Sequence, residues 1–181
     1  MKELGGLQRS TLSDEDRQAL QFAALLGYRF DSLLLALAMG ADVAMLIASL
    51  KRCRDAGIIV VQDDDGFRWK FNHALVHQSF ADSVPEDRKR EYHTRALGAL
   101  ETIADSVSKL DQLAYHAVES GDQEKARIYN ERAGDAAFHI RALPEAQRYF
   151  AVALAVANDD FAKIRLQGKI VSAKGRSRIS S

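Results

Sequence analysis

Arg68-Trp69-Lys70-Phe71-Asn72-His73-Ala74-Leu75-Val76 is a junction between two kinds of periodicity. From Arg68 to Phe71, polar and bulky apolar residues alternate, the two-residue period of a half-buried strand. From His73 onward the pattern changes, and Leu75, Val76, Phe80 and Val84 recur at helical spacing. The spacing predicts a strand that runs straight into a helix, with a histidine at the corner. A helix N-terminus presents outward N–H groups and the positive end of its dipole. His73 is therefore placed to add a hydrogen-bond donor to a phosphate site. The alternative is that His73 only closes the strand–helix corner.

Upstream of this junction the sequence mixes helix and strand. Ser13 reads as an N-cap, with Asp14, Glu15 and Asp16 in a first turn where acidic groups favour the dipole. The helix runs through Leu20, Ala23, Ala24 and Leu26 to a stop at Gly27. Asp31 caps a short second helix, Ser32 to Met39, ended by Gly40. Asp42 caps a third, Val43 to Ala56, with Leu46, Leu50 and Cys53 on one face and Gly57 as its stop. Ile58-Ile59-Val60-Val61 is β-branched and too short for a helix. Gln62-Asp63-Asp64-Asp65-Gly66 is a turn, and Phe67 to Phe71 is the return strand. Three helices and a β-hairpin are the layout of a winged-helix domain, assigned to residues 1–84. DNA binding fits the charges poorly. Lys51, Arg52 and Arg54 on the third helix are offset by Asp42 and Asp55, and the wing carries Asp63, Asp64 and Asp65 where phosphates would lie.

Downstream, the pattern is all helix. Pro85 opens a connecting helix, Glu86 to Ile103, within residues 85–106. Residues 107–160 read as tetratricopeptide-like antiparallel helical hairpins. One helix runs from Val107 to Gly121, one is capped by Asp122, another passes Ala136, Ala137 and Ile140, and one starts at Leu143-Pro144. Ala126 and Ala146 each lie three residues before a tyrosine, Tyr129 and Tyr149, and Ala133 and Ala153 lie four after it. Small residues at these points let helices approach, with the tyrosines filling gaps between them. Residues 161–181 form a basic tail. Lys163, Arg165, Lys169, Lys174, Arg176 and Arg178 meet no acid there, and residues 174–178 read as frayed. That tail is either an interrupted repeat's solvated end or a nucleic-acid arm.

Composition excludes several classes. The chain has 181 residues, 47% hydrophobic and 28% charged, with zero formal net charge and a pI near 7.0. Such a balance exerts no global pull on nucleic acid or acidic lipid. No stretch reads as a bilayer span or a signal peptide, so no membrane partner is expected. The single cysteine, Cys53, rules out an intrachain disulfide and fits the cytoplasm. His73 and His77 lie four apart, as in a two-histidine metal site, but no third ligand is identifiable. His93, His116 and His139 are scattered on helices. No GxxxxGK[ST] loop and no nucleophile–histidine set occurs, which argues against a free-standing enzyme.

Several segments in this order resemble signal-transducing P-loop ATPases of the STAND class, over about residues 10–157. They are Leu12-Ser13-Asp14-Glu15-Asp16-Arg17, then Phe22 to Phe30, then Phe71-Asn72-His73-Ala74-Leu75-Val76. Next come Tyr115-His116-Ala117 to Gly121-Asp122, Glu124-Lys125-Ala126 and Ala133 to Ala137. The class includes large bacterial transcriptional regulators and adenylate/guanylate cyclase-linked proteins. The resemblance implies a winged helix that folds back on an ATPase core, in cis or in trans, and helical repeats that sense a protein or small-molecule inducer. It implies ATP or ADP as ligand of the parent protein and no cofactor held by this chain alone. Phe71 to Val76 is similar to the Met-His-Asp motif of plant immune receptors, so His73 inherits a phosphate-sensing role. Ala74 stands where that motif has its aspartate, which removes the aspartate's locking contribution. The P-loop and magnesium-binding acid would lie outside this chain.

The expectation is therefore a non-catalytic regulatory and interaction module, with His73 as phosphate sensor and Tyr115, Tyr129 and Tyr149 on the protein-binding surface or in the core of the helical repeats. A stand-alone DNA-binding regulator and a purely structural helical scaffold are the competing readings.

Overall fold

The computed structural model describes residues 12–103 and 107–179, and the chain divides into two compact units at Ala99–Leu100. Among the described residues the fold is mainly helical, with one small antiparallel sheet.

The first unit starts with α1 (Asp14–Leu26), capped as the sequence predicts: Ser13 Oγ accepts from Asp16 N at 3.1 Å. Strand β1 (Arg29–Asp31) follows, then α2 (Ser32–Met39) and α3 (Val43–Asp55). The Asp31 carboxylate accepts from Leu33 N and Leu34 N, and Asp42 accepts from Met45 N at 3.0 Å. Strands β2 (Ile59–Val61) and β3 (Arg68–Phe71) form the hairpin, and α4 (Ala74–Asp82) leaves its end. The sheet order is β1-β3-β2, so the last strand in sequence is the central one. Phe30 faces Trp69, and Ile59 faces Phe71, across the two ladders. These apolar partners join Leu20, Phe22, Leu35, Leu50 and Ile58 in the core.

Three details differ from the sequence reading. Strand β1 is additional to the expected hairpin. It spans three residues of which only Phe30 is buried, too few for a two-residue period to register. In α4, Phe80 is buried but Leu75 is 84% exposed, so the helical period there does not mark one inward face. Helix α5 (Glu86–Thr102) is not a bare connector. Over most of its length it is built into the first unit, where Tyr92 stacks on Phe22 with ring centroids 4.4 Å apart. Arg95 donates from Nε to the Ala38 carbonyl at 2.8 Å and from Nη2 to that of Met39. Those carbonyls end α2 and lack helical partners of their own. Residues 104–106, at the end of the expected connector, lie outside the described residues.

The second unit begins with a 3-10 turn, Val107–Lys109. It continues through α6 (Leu110–Ser120), α7 (Gln123–His139), α8 (Leu143–Ala155) and α9 (Asp160–Ile179). Consecutive helices pack on one another: α6 on α7, α7 on α8, α8 on α9. Gly121, at φ 75°, ends α6, and Asp122 caps α7 by accepting from Lys125 N. Helix α7 is one element, not the two expected. Gly134 in its middle does not break it. Instead Gly134 admits the buried ring of Phe150: an added Cβ would stand 2.5 Å from Phe150 Cε1. Glycine here, more than the tyrosines, sets the close approach of α7 and α8. Phe150 then packs with Ala137, Ala146, Ala153, Ala157, Ala162 and Leu166.

The basic stretch is helical over most of its length. Residues 160–179 form α9, with Ala162, Leu166 and Ala173 buried. Two of its cations find acids on α7, some 34 positions earlier, and Lys163 pairs with Asp160 of its own helix at 3.5 Å. Arg165 donates to both Glu131 oxygens, at 2.9 and 2.8 Å. Lys169 reaches Asp135 at 2.7 Å and Glu131 at 2.9 Å. Residues 180–181 lie outside the described part.

This network has an acid signature. The Arg165 guanidinium and Lys169 hold the Glu131 carboxyl at about 2, against an ordinary 4.5. A depressed carboxyl pKa stabilises the fold fully above 4.5, and that contribution is lost as pH falls from 4.5 towards 2. With screening at the exposed edge of the network, it amounts to about 2 kcal/mol. Glu131→Gln should flatten that part of the acid unfolding curve, read by circular dichroism against pH.

Candidate functional site

Helix α4 starts where β3 runs out. Asn72 N donates to the Ile58 carbonyl at 2.9 Å, and Asn72 Nδ2 donates to that of Gly57 at 3.2 Å. These two bonds fix the corner without His73. His73 occupies the N-cap position in extended geometry, φ −136° and ψ 141°, and its side chain makes no cap bond. Its carbonyl accepts from Val76 N and His77 N, both at 3.1 Å, which starts the helix. The imidazole is exposed. The corner therefore has no structural need for an imidazole, and the ring is left available to a ligand.

His77, one turn on, has a different task. Its Nε2–H donates to the Ala24 carbonyl in the last turn of α1 at 2.9 Å; a carbonyl can only accept, which fixes the tautomer. Edge contacts to Phe71 at 5.2 Å and Tyr28 at 5.8 Å hold the ring. The two histidines of the HALVH segment thus divide into one exposed donor and one packed tie between helices. Among the described residues, no group of three His, Cys, Asp or Glu side chains could hold a metal.

The sheet end that carries this corner is basic. Arg29 lies directly opposite Lys70 in the β1–β3 ladder. Strand alternation puts both on the face opposite buried Phe30, Trp69 and Phe71. Like charges directly opposite one another are unfavourable unless an anion offsets them. Among the described residues, neither forms an ion pair. Exposed Leu75 sits two positions beyond His73.

The third-helix surface is less cationic than its sequence suggests. Arg52 donates to both oxygens of buried Asp16, at 3.1 and 2.6 Å, and Ser49 Oγ donates to Asp16 as well. Despite the burial penalty on its charged form, these bonds and the Arg52 charge lower the Asp16 pKa. Arg54 is held by neighbouring Asp55 at 2.9 Å. Only Lys51 of the expected cationic trio is left without an acid among the described residues. In the hairpin turn, Asp63 is occupied by Arg68 N at 3.1 Å.

In the second unit the three tyrosines part ways. Tyr115 is half exposed on α6. Tyr129 donates its hydroxyl to Glu101 at 2.7 Å, and Lys125 reaches the same carboxylate at 2.9 Å. Burial and Glu101 push the Tyr129 phenol up to about 12, so it stays a donor throughout the physiological range. Tyr149 packs against the Phe150 cluster and borders an open groove of about 290 Å³, shared with Leu110, Asp111, Ala133, Ile140 and Glu145. The sequence left the three on the surface or in the core of the repeats. In the folded unit Tyr129 serves internal cohesion, and Tyr149 and Tyr115 remain accessible.

Two other candidates are chemically quiet. Cys53 is fully buried, and burial drives its thiol up to about 12. His93 and His116 are also buried, whereas His139 is exposed. Among the described residues, no single helix is long and apolar enough to cross a membrane. The chain matches no protein-family model, no curated protein and no solved structure.

Proposed function

We propose that this chain is a non-catalytic regulatory and interaction module: a winged-helix domain followed by tetratricopeptide-like helical hairpins. It would be the transmission and sensing part of a STAND-type ATP-binding signalling protein acting in the cytoplasm. The observation that carries the reading is His73, exposed at the head of α4 with no structural partner for its side chain. In this reading the His73 ring and the first-turn N–H groups of α4 meet the diphosphate of ADP bound on an ATPase core, in cis or in trans. The unpaired Arg29–Lys70 couple adds positive potential at the same sheet end. Exposed Leu75 supplies an apolar contact to the covering domain. Nucleotide then biases a closed state over an open one. The groove beside Tyr149 is the favoured place for an inducer on the helical unit.

The element order α1-β1-α2-α3-β2-β3 supports the winged-helix reading. Duplex DNA is the weaker partner. Arg52 and Arg54 already have acids, and the turn between β2 and β3 is negative, so few charges remain to release counterions.

The test begins with gene context, asking whether a P-loop ATPase is encoded in frame with this segment or beside it. In the protein that carries both parts, His73→Ala should shorten ADP retention about tenfold, the effect of one charge-assisted hydrogen bond. Because the ring is exposed, the melting temperature of this segment should not change. Unchanged ADP release, or no ATPase in the neighbourhood, would sink the reading.

A further inference from the structure

The face of α9 opposite its buried residues carries an apolar stripe. Phe161, Ile164 and Val171 are 75%, 69% and 68% exposed. Gly168 and Gly175 have open space where a Cβ would sit. These five residues recur at steps of three and four, the spacing of a coiled-coil seam. The stripe lies opposite Ala162, Leu166 and Ala173, which are buried against the rest of the unit.

We propose that this stripe is a dimer seam, covered by α9 of a second copy of the chain in antiparallel orientation. Shape argues for that occupant. The bulky residues lie in the first half of the stripe, and the glycines lie towards its end. A two-fold axis near Leu166 sets Ile164 over Gly168 of the second copy and Phe161 over Val171 of the second copy, each contact made twice. Charge argues the same way. In this register Asp160, 94% exposed and 3.5 Å from Lys163 of its own helix, flanks exposed Lys174 of the second copy. Arg165 comes near its own counterpart, but Glu131 already offsets its charge. A parallel pair would instead stack Phe161 on Phe161 and bring Lys174 against its own counterpart. A seam of two helices falls below about 1,200 Å² of buried surface, so the dimer is reversible.

Sedimentation equilibrium of the full chain over rising concentration, to about 1 mM, tests this. The expected result is a monomer–dimer equilibrium that Ile164→Glu weakens at least tenfold, about the cost of burying one charge in the seam. The melting temperature of dilute monomer should not move, because Ile164 is exposed there. Asp160→Lys should weaken the dimer about fivefold, and adding Lys174→Asp should restore it. A monomer throughout, open-ended assembly, or a dimer indifferent to Ile164→Glu would overturn the proposal. Failure of the charge swap to restore the dimer would overturn the antiparallel register.

Discussion

Taking the protein from pH 6.5 to pH 4 should remove about 3 kcal/mol from the first unit. The cause is His93 on α5. It is 3% exposed, and burial together with the nearby Lys89 charge pushes its pKa down to about 4 from an ordinary 6.5. Between those values the unfolded chain binds a proton that the native unit refuses. Stability is therefore fully present above 6.5 and is lost as pH falls through 6.5 towards 4. Below 4 the native unit takes up the proton too, and the loss levels off. The measurement is urea unfolding at half-unit pH steps, following Trp69, the chain's only tryptophan. His93→Gln cannot titrate, so its curve should be flat across this window whatever its absolute stability. Parallel curves for the two proteins would refute the assignment to His93. The Glu131 loss begins only where this one is nearly complete.

The second large effect comes from a single methyl group. Gly134→Ala puts a Cβ 2.5 Å from one Phe150 ring carbon and 2.6 Å from another. Phe150 is fully buried, so the ring has little room to yield. Overpacking of this kind costs about 1–3 kcal/mol, more than the roughly 1 kcal/mol that alanine gains over glycine inside a helix. The net change is destabilising, and Gly134→Val should lie at the upper end of that range. Gly98→Ala on α5 is the control. Nothing lies within 4 Å of its Cβ position, so the same substitution should stabilise there by up to about 1 kcal/mol. Opposite signs in thermal denaturation would confirm that packing, not propensity, decides at Gly134. A stabilised Gly134→Ala would sink the close-packing argument.

Much of the fold was legible because its punctuation is local. Ser13, Asp31, Asp42 and Asp122 each bond to a backbone N–H two or three residues ahead, and a cap of that kind is readable without tertiary knowledge. The turn between β2 and β3 carries its own signal in Asp63-Asp64-Asp65-Gly66. What the sequence hid depends on distant partners. Strand β1 exists because Phe30 meets Trp69 some forty residues on. Arg165 and Lys169 of α9 looked unpaired because their acids lie on α7. The need for glycine at 134 was hidden because its partner, Phe150, is on the next helix. At the candidate site, His73 was legible from the change of period at the corner. That its neighbour His77 is spent on the Ala24 carbonyl was not, since nothing local links residue 77 to residue 24.

The order β1-β3-β2 also has a temporal meaning. The central strand is the last to leave the ribosome, so β1 and β2 must wait with open edges until Phe71 has emerged. The pairing of β1 with β3 then closes a loop of almost forty residues, a slow step compared with forming neighbouring helices. In the second unit the main helix–helix packing joins helices adjacent in sequence, the ion pairs between α7 and α9 apart. A chain released from denaturant should therefore regain its helical ellipticity early and bury Trp69 late, the later-made half of the molecule folding first.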